Sequence, residues 1–192
     1  SSSVRSQDIS GHGTHVASIC GGRNGVAPMA DFLIVKLGKE NDFPRTTQLM
    51  MAVQYVVDFA KKQRKPLAVN ISYGHNYGDH RGNSLLETFL SKIAGQWKSV
   101  FCIGTGNEGD SARHKQGVIQ EKTEEILFDI APAETSINLQ IWKNFADEFE
   151  LMLVSPSGKS YRMVNQPGKT EYLYADTKVV VYNGLPTPYN VR

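Results

Sequence analysis

Residues 10–22 read SGHGTHVASICGG, with His12 and His15 three positions apart and glycine on both sides of the first histidine. Val16, Ala17, Ile19 and Cys20 follow at spacings that predict a short helix ending at Gly21-Gly22. Two histidines on one helix suggest metal binding, but a catalytic zinc needs a third protein ligand. No glutamate follows His12 as in the His-Glu-x-x-His pattern of zinc proteases. His75, His80 and His114 lie in turn-like stretches without ligand spacing. No metal site is therefore expected. What remains is proton transfer by an imidazole that titrates near neutrality, or a pair of hydrogen-bonded structural histidines.

Outward from this stretch, strands and helices alternate up to about residue 117. The run DFLIVKLG (31–38) is apolar, closes on a glycine and predicts a buried strand. In TTQLMMAVQYVVDFAKKQRK (46–65), Leu49, Met50, Val53, Val56, Val57 and Ala60 recur at helical steps, with basic residues gathered at the C-terminal end and Pro66 beyond it. LAVNIS (67–72) predicts a second strand. SLLETFLSKIAGQW (84–97) opens with Ser84 three residues before Glu87, a capping-box pattern, and carries the stripe Leu85, Leu86, Phe89, Leu90, Ile93, Trp97. SVFCIG (99–104) predicts a third strand. Strands separated by helices imply a mostly parallel sheet.

From 118 to 192 no helical period survives. INLQIW (137–142) and FELMLV (149–154) alternate apolar and polar residues, SPSG (155–158) has turn chemistry, and YRMV, TEYLYA and KVVVYNG follow, with Asn183-Gly184 as a turn signal. The fold class expected is α/β: a partial, mostly parallel sheet with flanking helices over 1–117, followed by an antiparallel β-sandwich module over 118–192, with GDSARHKQG (109–117) as connector.

Bulk composition narrows the class only a little. A chain of 192 residues, 40 % hydrophobic and 21 % charged with a net charge of +2, is ordinary globular material. No basic run exceeds KKQRK (61–65), so neither nucleic acid nor an acidic membrane is expected as a partner. No apolar run reaches bilayer length, and SSSVRSQD has no export-signal core. Cys20 and Cys102 sit in apolar surroundings and are expected to be free core thiols.

Four short segments decide the reading because they occur in order: GHGTHVA, GVAP, NISYG and GTGNEG. Together, over residues 7 to about 117, they resemble the subtilisin-like serine proteases, the subtilases. The resemblance implies that His12 is the general base of a Ser-His-Asp triad and that His15 is packed scaffolding. It implies that Asn107 donates its amide to the oxyanion of the tetrahedral intermediate. Ser72, Tyr73 and Gly74 on one side, and Gly104, Thr105 and Gly106 on the other, become the walls of a substrate pocket. By the same resemblance 1–117 is the central part of a subtilisin-like catalytic domain. The β-rich 118–192, including LPTP at 185–188, is similar to the jelly-roll domain inserted in clostridial Csp-type germination proteases.

The chain also departs from the family's pattern. The family's order is Asp, His, Ser, yet the only acid before His12 is Asp8, which lacks the glycine of the aspartate motif and instead resembles an acidic position that precedes the histidine motif without joining the triad. Downstream there is neither Gly-Thr-Ser-x-Ala nor Gly-x-Ser-x-Gly. These residues are thus expected to be the middle of a longer serine endopeptidase, inert alone for want of nucleophile and orienter. The alternative is a pseudoprotease or binding module, against which the presence of both His12 and Asn107 counts. The expected partner is a peptide or protein substrate. No cofactor is expected, since calcium, which occurs in the family, has no recognisable ligand set here. The resemblance also places the protein among secreted, cell-envelope or spore-associated proteins.

Overall fold

A computed structural model describes residues 6–38, 44–120, 123–144, 146–163, 166–174 and 177–184. They form two compact units: the residues up to Tyr77 with Ser84–Thr135, and Gly78–Asn83 with the residues from Ser136 onward. This division differs from a single cut at residue 117, since 118–135 join the first unit and the loop 78–83 joins the second. The cause of the second difference is tertiary. Gly78 donates its backbone N–H to Gln140 Oε1 at 3.2 Å, and Arg81 Nη1 donates to Asn144 Oδ1 at 2.5 Å.

In the first unit, strands β1 (Leu67–Ile71) and β2 (Ser99–Ile103) pair in parallel, from Leu67 opposite Ser99 to Ile71 opposite Ile103. Parallel neighbours need a long crossover, and helix α3 (Leu85–Ala94) lies within it. The Ser84 capping box forms: Ser84 N–H donates to Glu87 Oε2 at 2.8 Å and Glu87 N–H donates to Ser84 Oγ at 3.2 Å. Helix α2 (Thr46–Gln63) buries Leu49, Val53, Val56, Val57 and Ala60, five of the six residues of its predicted stripe, and ends at Arg64 in the left-handed conformation ahead of Pro66. Leu49, Val53, Val57, Ile71, Leu90 and Ile93 make one cluster, flanked by Leu67, Val69, Phe89, Trp97 and Phe101. Alternation along β1 directs Leu67, Val69 and Ile71 into this cluster and leaves Ala68 and Asn70 exposed. Helix α1 (His12–Gly21) completes the regular elements among the described residues of the unit. No helix among the described residues is long and apolar enough to cross a membrane.

Two runs expected to be strands are not. Residues 31–38 join no ladder and Ile34 stays 69 % exposed, although Leu37 reaches the core cluster. Residues 137–142 likewise form no ladder, and Ile137, Leu139, Ile141 and Trp142 are exposed. Apolar composition favours an extended chain, but a strand exists only when a neighbour satisfies its backbone groups. Leu85, placed in the α3 stripe, is exposed because it occupies the first helical position.

The second unit contains two antiparallel hairpins. β3 (Met152–Val154) and β4 (Ser160–Arg162) are joined through the SPSG turn, where Gly158 N–H donates to Ser155 O at 2.8 Å and Gly158 adopts φ 82°. β5 (Gly168–Tyr174) and β6 (Thr177–Asn183) pair over seven residues each. Asn183, expected in a turn, is the last residue of β6. The rings of Tyr161 and Tyr174 lie 3.5 Å apart between centroids, with Tyr172 beside Tyr174, so aromatic contact ties β4 to β5. The LPTP segment lies outside the described residues.

The core assignment makes a contrast testable by urea unfolding. Ile93→Ala, at a site 2 % exposed, should cost about 2–5 kcal/mol, as buried truncations do. Leu85→Ala should change stability by less than about 0.5 kcal/mol, as surface substitutions do. Equal effects would contradict the placement of α3.

Candidate active site

Parallel pairing sends two chain segments out at the same end of the sheet. Ser72, Tyr73 and Gly74 follow β1, and Gly104, Thr105, Gly106 and Asn107 follow β2. The pairing continues one step past the strand, since Gly104 N–H donates to Ile71 O at 3.2 Å. The carboxyl ends of parallel strands are where α/β folds place their ligands.

His12 is brought to this end. It is the first residue of α1, entered through Gly11, whose φ of 73° is a left-handed conformation that glycine accepts freely. The His12 ring reaches Ser72: Nε2 lies 3.2 Å from the Ser72 carbonyl oxygen. A carbonyl only accepts, so Nε2 carries the hydrogen in this arrangement. The same nitrogen becomes a proton acceptor once the ring holds its proton on Nδ1 instead, which is the tautomer that a carboxylate at Nδ1 selects.

The two segments expected to be walls are held differently. Ser72 Oγ accepts from Asn70 Nδ2 at 2.9 Å. Tyr73 turns its ring onto the core cluster, its hydroxyl donating to Pro44 O at 2.8 Å, and burial pushes its phenol pKa up. Gly74, Gly104, Thr105, Gly106 and Asn107 are exposed, and Gly106 takes φ 94°. Among the described residues the Asn107 side chain makes no hydrogen bond, so its amide is available as a donor. Its neighbour Glu108 is engaged on both oxygens, by Asn76 Nδ2 at 2.5 Å and Arg113 Nη1 at 2.8 Å.

A sequence profile of the subtilase family matches residues 3–138. The chain belongs to the subtilase family. The solved structure of the Clostridium perfringens CspB protease superposes with a TM-score of 0.78 at 30 % sequence identity, covering 97 % of this chain and 42 % of that one. Subtilisin-like protease 3 of Pseudogymnoascus destructans is 33 % identical over 108 residues, which are 55 % of this chain and 25 % of that protein. The chain thus spans less than half the length of either relative.

As a subtilase segment, it shows what its one acid near the histidine motif does. Asp8 Oδ2 accepts from Thr14 N–H at 2.6 Å and Thr14 Oγ1 at 2.7 Å, while Oδ1 accepts from Gly11 N–H at 3.0 Å and Ser10 Oγ at 3.2 Å. These bonds, led by the Thr14 hydroxyl, hold the Asp8 carboxyl at about 2, below its ordinary value of 3.8. Asp8 is committed to the open N–H groups at the start of α1, where negative charge also meets the positive end of the helix. It anchors the helix that carries His12 and makes no bond to the His12 ring.

Three expectations change. His15 is exposed, not packed. Cys102 is exposed and Cys20 half-buried, so neither is a core thiol, though both are free. For Cys102 the reason is strand alternation: its neighbour Phe101 packs against the core cluster, so Cys102 faces the other side of β2. Among the described residues no group of three or more His, Cys, Asp or Glu side chains is placed to hold a metal ion.

The Asp8 bonds give a pH signature with a definite sign. A depressed carboxyl pKa contributes stability above the unfolded value and loses it as pH falls through the folded one. Asp8→Ala should therefore melt at lower temperature than the parent above pH 3.8, and the gap should close as pH falls to about 2. A gap that is constant across that window would show that the carboxylate form is not what anchors α1.

Proposed function

We propose that these residues are the central part of a bacterial subtilisin-like serine endopeptidase, in which His12 is the general base and Asn107 an oxyanion donor. The observation that carries this reading is the site at the strand ends. A histidine at a helix start reaches the loop after β1, while an asparagine with a free amide stands on the adjacent loop after β2.

A serine hydroxyl is a weak nucleophile until a base takes its proton. In the proposed cycle His12 takes it through Nε2 and later returns it to the leaving amine. The aspartate that holds the His12 proton on Nδ1, and the serine itself, come from parts of the protein beyond these residues, because Asp8 is already engaged. Asn107 then donates to the oxygen that becomes an anion as the carbonyl turns tetrahedral. Ser72, Gly74 and the Gly104–Gly106 backbone border the substrate, a peptide or protein, with Tyr73 holding its wall from beneath. The second unit, with its antiparallel hairpins, is read as part of the jelly-roll-like insert that the sequence of 118–192 resembles.

The test uses the full-length protein. Asn107→Ala should lower kcat by roughly 100- to 1,000-fold with little change in KM, the loss typical of removing one oxyanion donor. His12→Ala should cost more, and the double variant should fall far short of the product of the two losses, because residues that act in one step are not additive. If Asn107→Ala instead raises KM at constant kcat, the residue lines the pocket and the oxyanion role is wrong. A parent protein without peptidase activity, active in its biological role with both variants, would make this a pseudoprotease.

A further inference from the structure

We propose that Glu108 is a positioning residue: its carboxylate clamps the loop that presents Asn107 to the loop that follows β1. The proposal rests on the oxyanion role of Asn107. The segment Thr105-Gly106-Asn107 is suspended between two ties to the neighbouring chain. At its base Gly104 N–H is bonded to Ile71 O at 3.2 Å, the last step of the sheet. At its far end Glu108 Oε2 accepts from Asn76 Nδ2 at 2.5 Å, a contact across 32 residues of sequence. The other oxygen, Oε1, accepts from Arg113 Nη1 at 2.8 Å, which balances the charge and fixes the plane of the carboxylate.

Between the ties, Gly106 at φ 94° gives a bend without side-chain bulk, so by itself the segment is loosely determined. Asn107 adjoins Glu108 directly, and fixing one fixes the other. An oxyanion donor works only when it already points to where charge will develop. Misplacement by about 1 Å costs on the order of 100-fold in rate. The Glu108 and Arg113 side chains are 41 % and 64 % exposed, and exposed polar pairs contribute little to global stability. The clamp therefore acts on placement and leaves the melting temperature almost unchanged.

Steady-state kinetics on the full-length protein, with Asn76→Ala, Glu108→Ala and Glu108→Gln made in the parent and in Asn107→Ala, separate placement from structure. Asn76→Ala and Glu108→Ala should each lower kcat by about 5- to 50-fold at nearly constant KM and melting temperature, short of the loss from a full 1 Å misplacement. Glu108→Gln keeps one carbonyl oxygen to accept from Asn76 and should retain more activity than Glu108→Ala. In the Asn107→Ala background all three should have almost no further effect, because the group they position is gone. Equal losses in both backgrounds, or losses confined to KM, overturn the clamp. So does hydrogen exchange at the Gly106, Asn107 and Glu108 amides that Asn76→Ala leaves unchanged. If Asn107→Ala itself keeps full kcat, the oxyanion reading fails and the clamp with it. If Asn107→Ala is impaired while Asn76→Ala and Glu108→Ala are not, the clamp alone fails.

Discussion

The parallel pairing of β1 with β2 is the constraint on which the first unit depends. Five consecutive residues of each strand face one another, and the ladder runs on to the bond between Gly104 N–H and Ile71 O. Had the strands been antiparallel, the segments after Ile71 and Ile103 would leave at opposite ends. Because they are parallel, SYG and GTGN emerge side by side although 32 residues separate Ile71 from Ile103. The pairing is sustained by one covered face. α2 and α3 contribute Leu49, Val53, Val57, Leu90 and Ile93, which close over Ile71 and exclude water from the strand backbone beneath them.

The histidine motif is built on the same economy of space, with most of its residues serving geometry. Asp8 closes the start of α1, and the end of the helix is closed by its own continuation. Val26 N–H donates to Ile19 O at 3.0 Å and Ala27 N–H donates to Cys20 O at 2.8 Å, folding GVAP back over the last turn. That return leaves no room for side chains: a Cβ on Gly21 would meet Ala27 O at 2.8 Å, and one on Gly25 would meet Ser18 O at 2.7 Å. GHGTHVA and GVAP are therefore one packed unit, whose helix carries His12 at its start beside Ser72.

Much of this could be read in the residues because it is local. The α2 stripe, the Ser84–Glu87 capping box, the SPSG turn and the end of α1 at Gly21 each follow from neighbours a few positions apart. What escaped depends on partners far along the chain. Residues 31–38 and 137–142 have strand composition without a ladder. Arg81 pairs with Asn144 and Asn76 with Glu108 across 63 and 32 residues, which no spacing rule anticipates. Asp8 is an intermediate case: an acid just before a helix is a recognisable anchor, but which N–H groups it accepts from, Gly11 and Thr14, is set by the fold. Tyr73 follows β1, and the core cluster sets the direction of its ring, which no local spacing shows.

The central claim is that His12 serves a nucleophilic serine located outside these 192 residues. Its most direct test is covalent: the full-length protein is treated with a fluorophosphonate probe and the modified residue is mapped by peptide mass spectrometry. The account predicts one labelled serine, outside this segment, whose labelling is lost in His12→Ala. No labelling of the folded protein, labelling that survives His12→Ala, or a modified serine within these residues would contradict it.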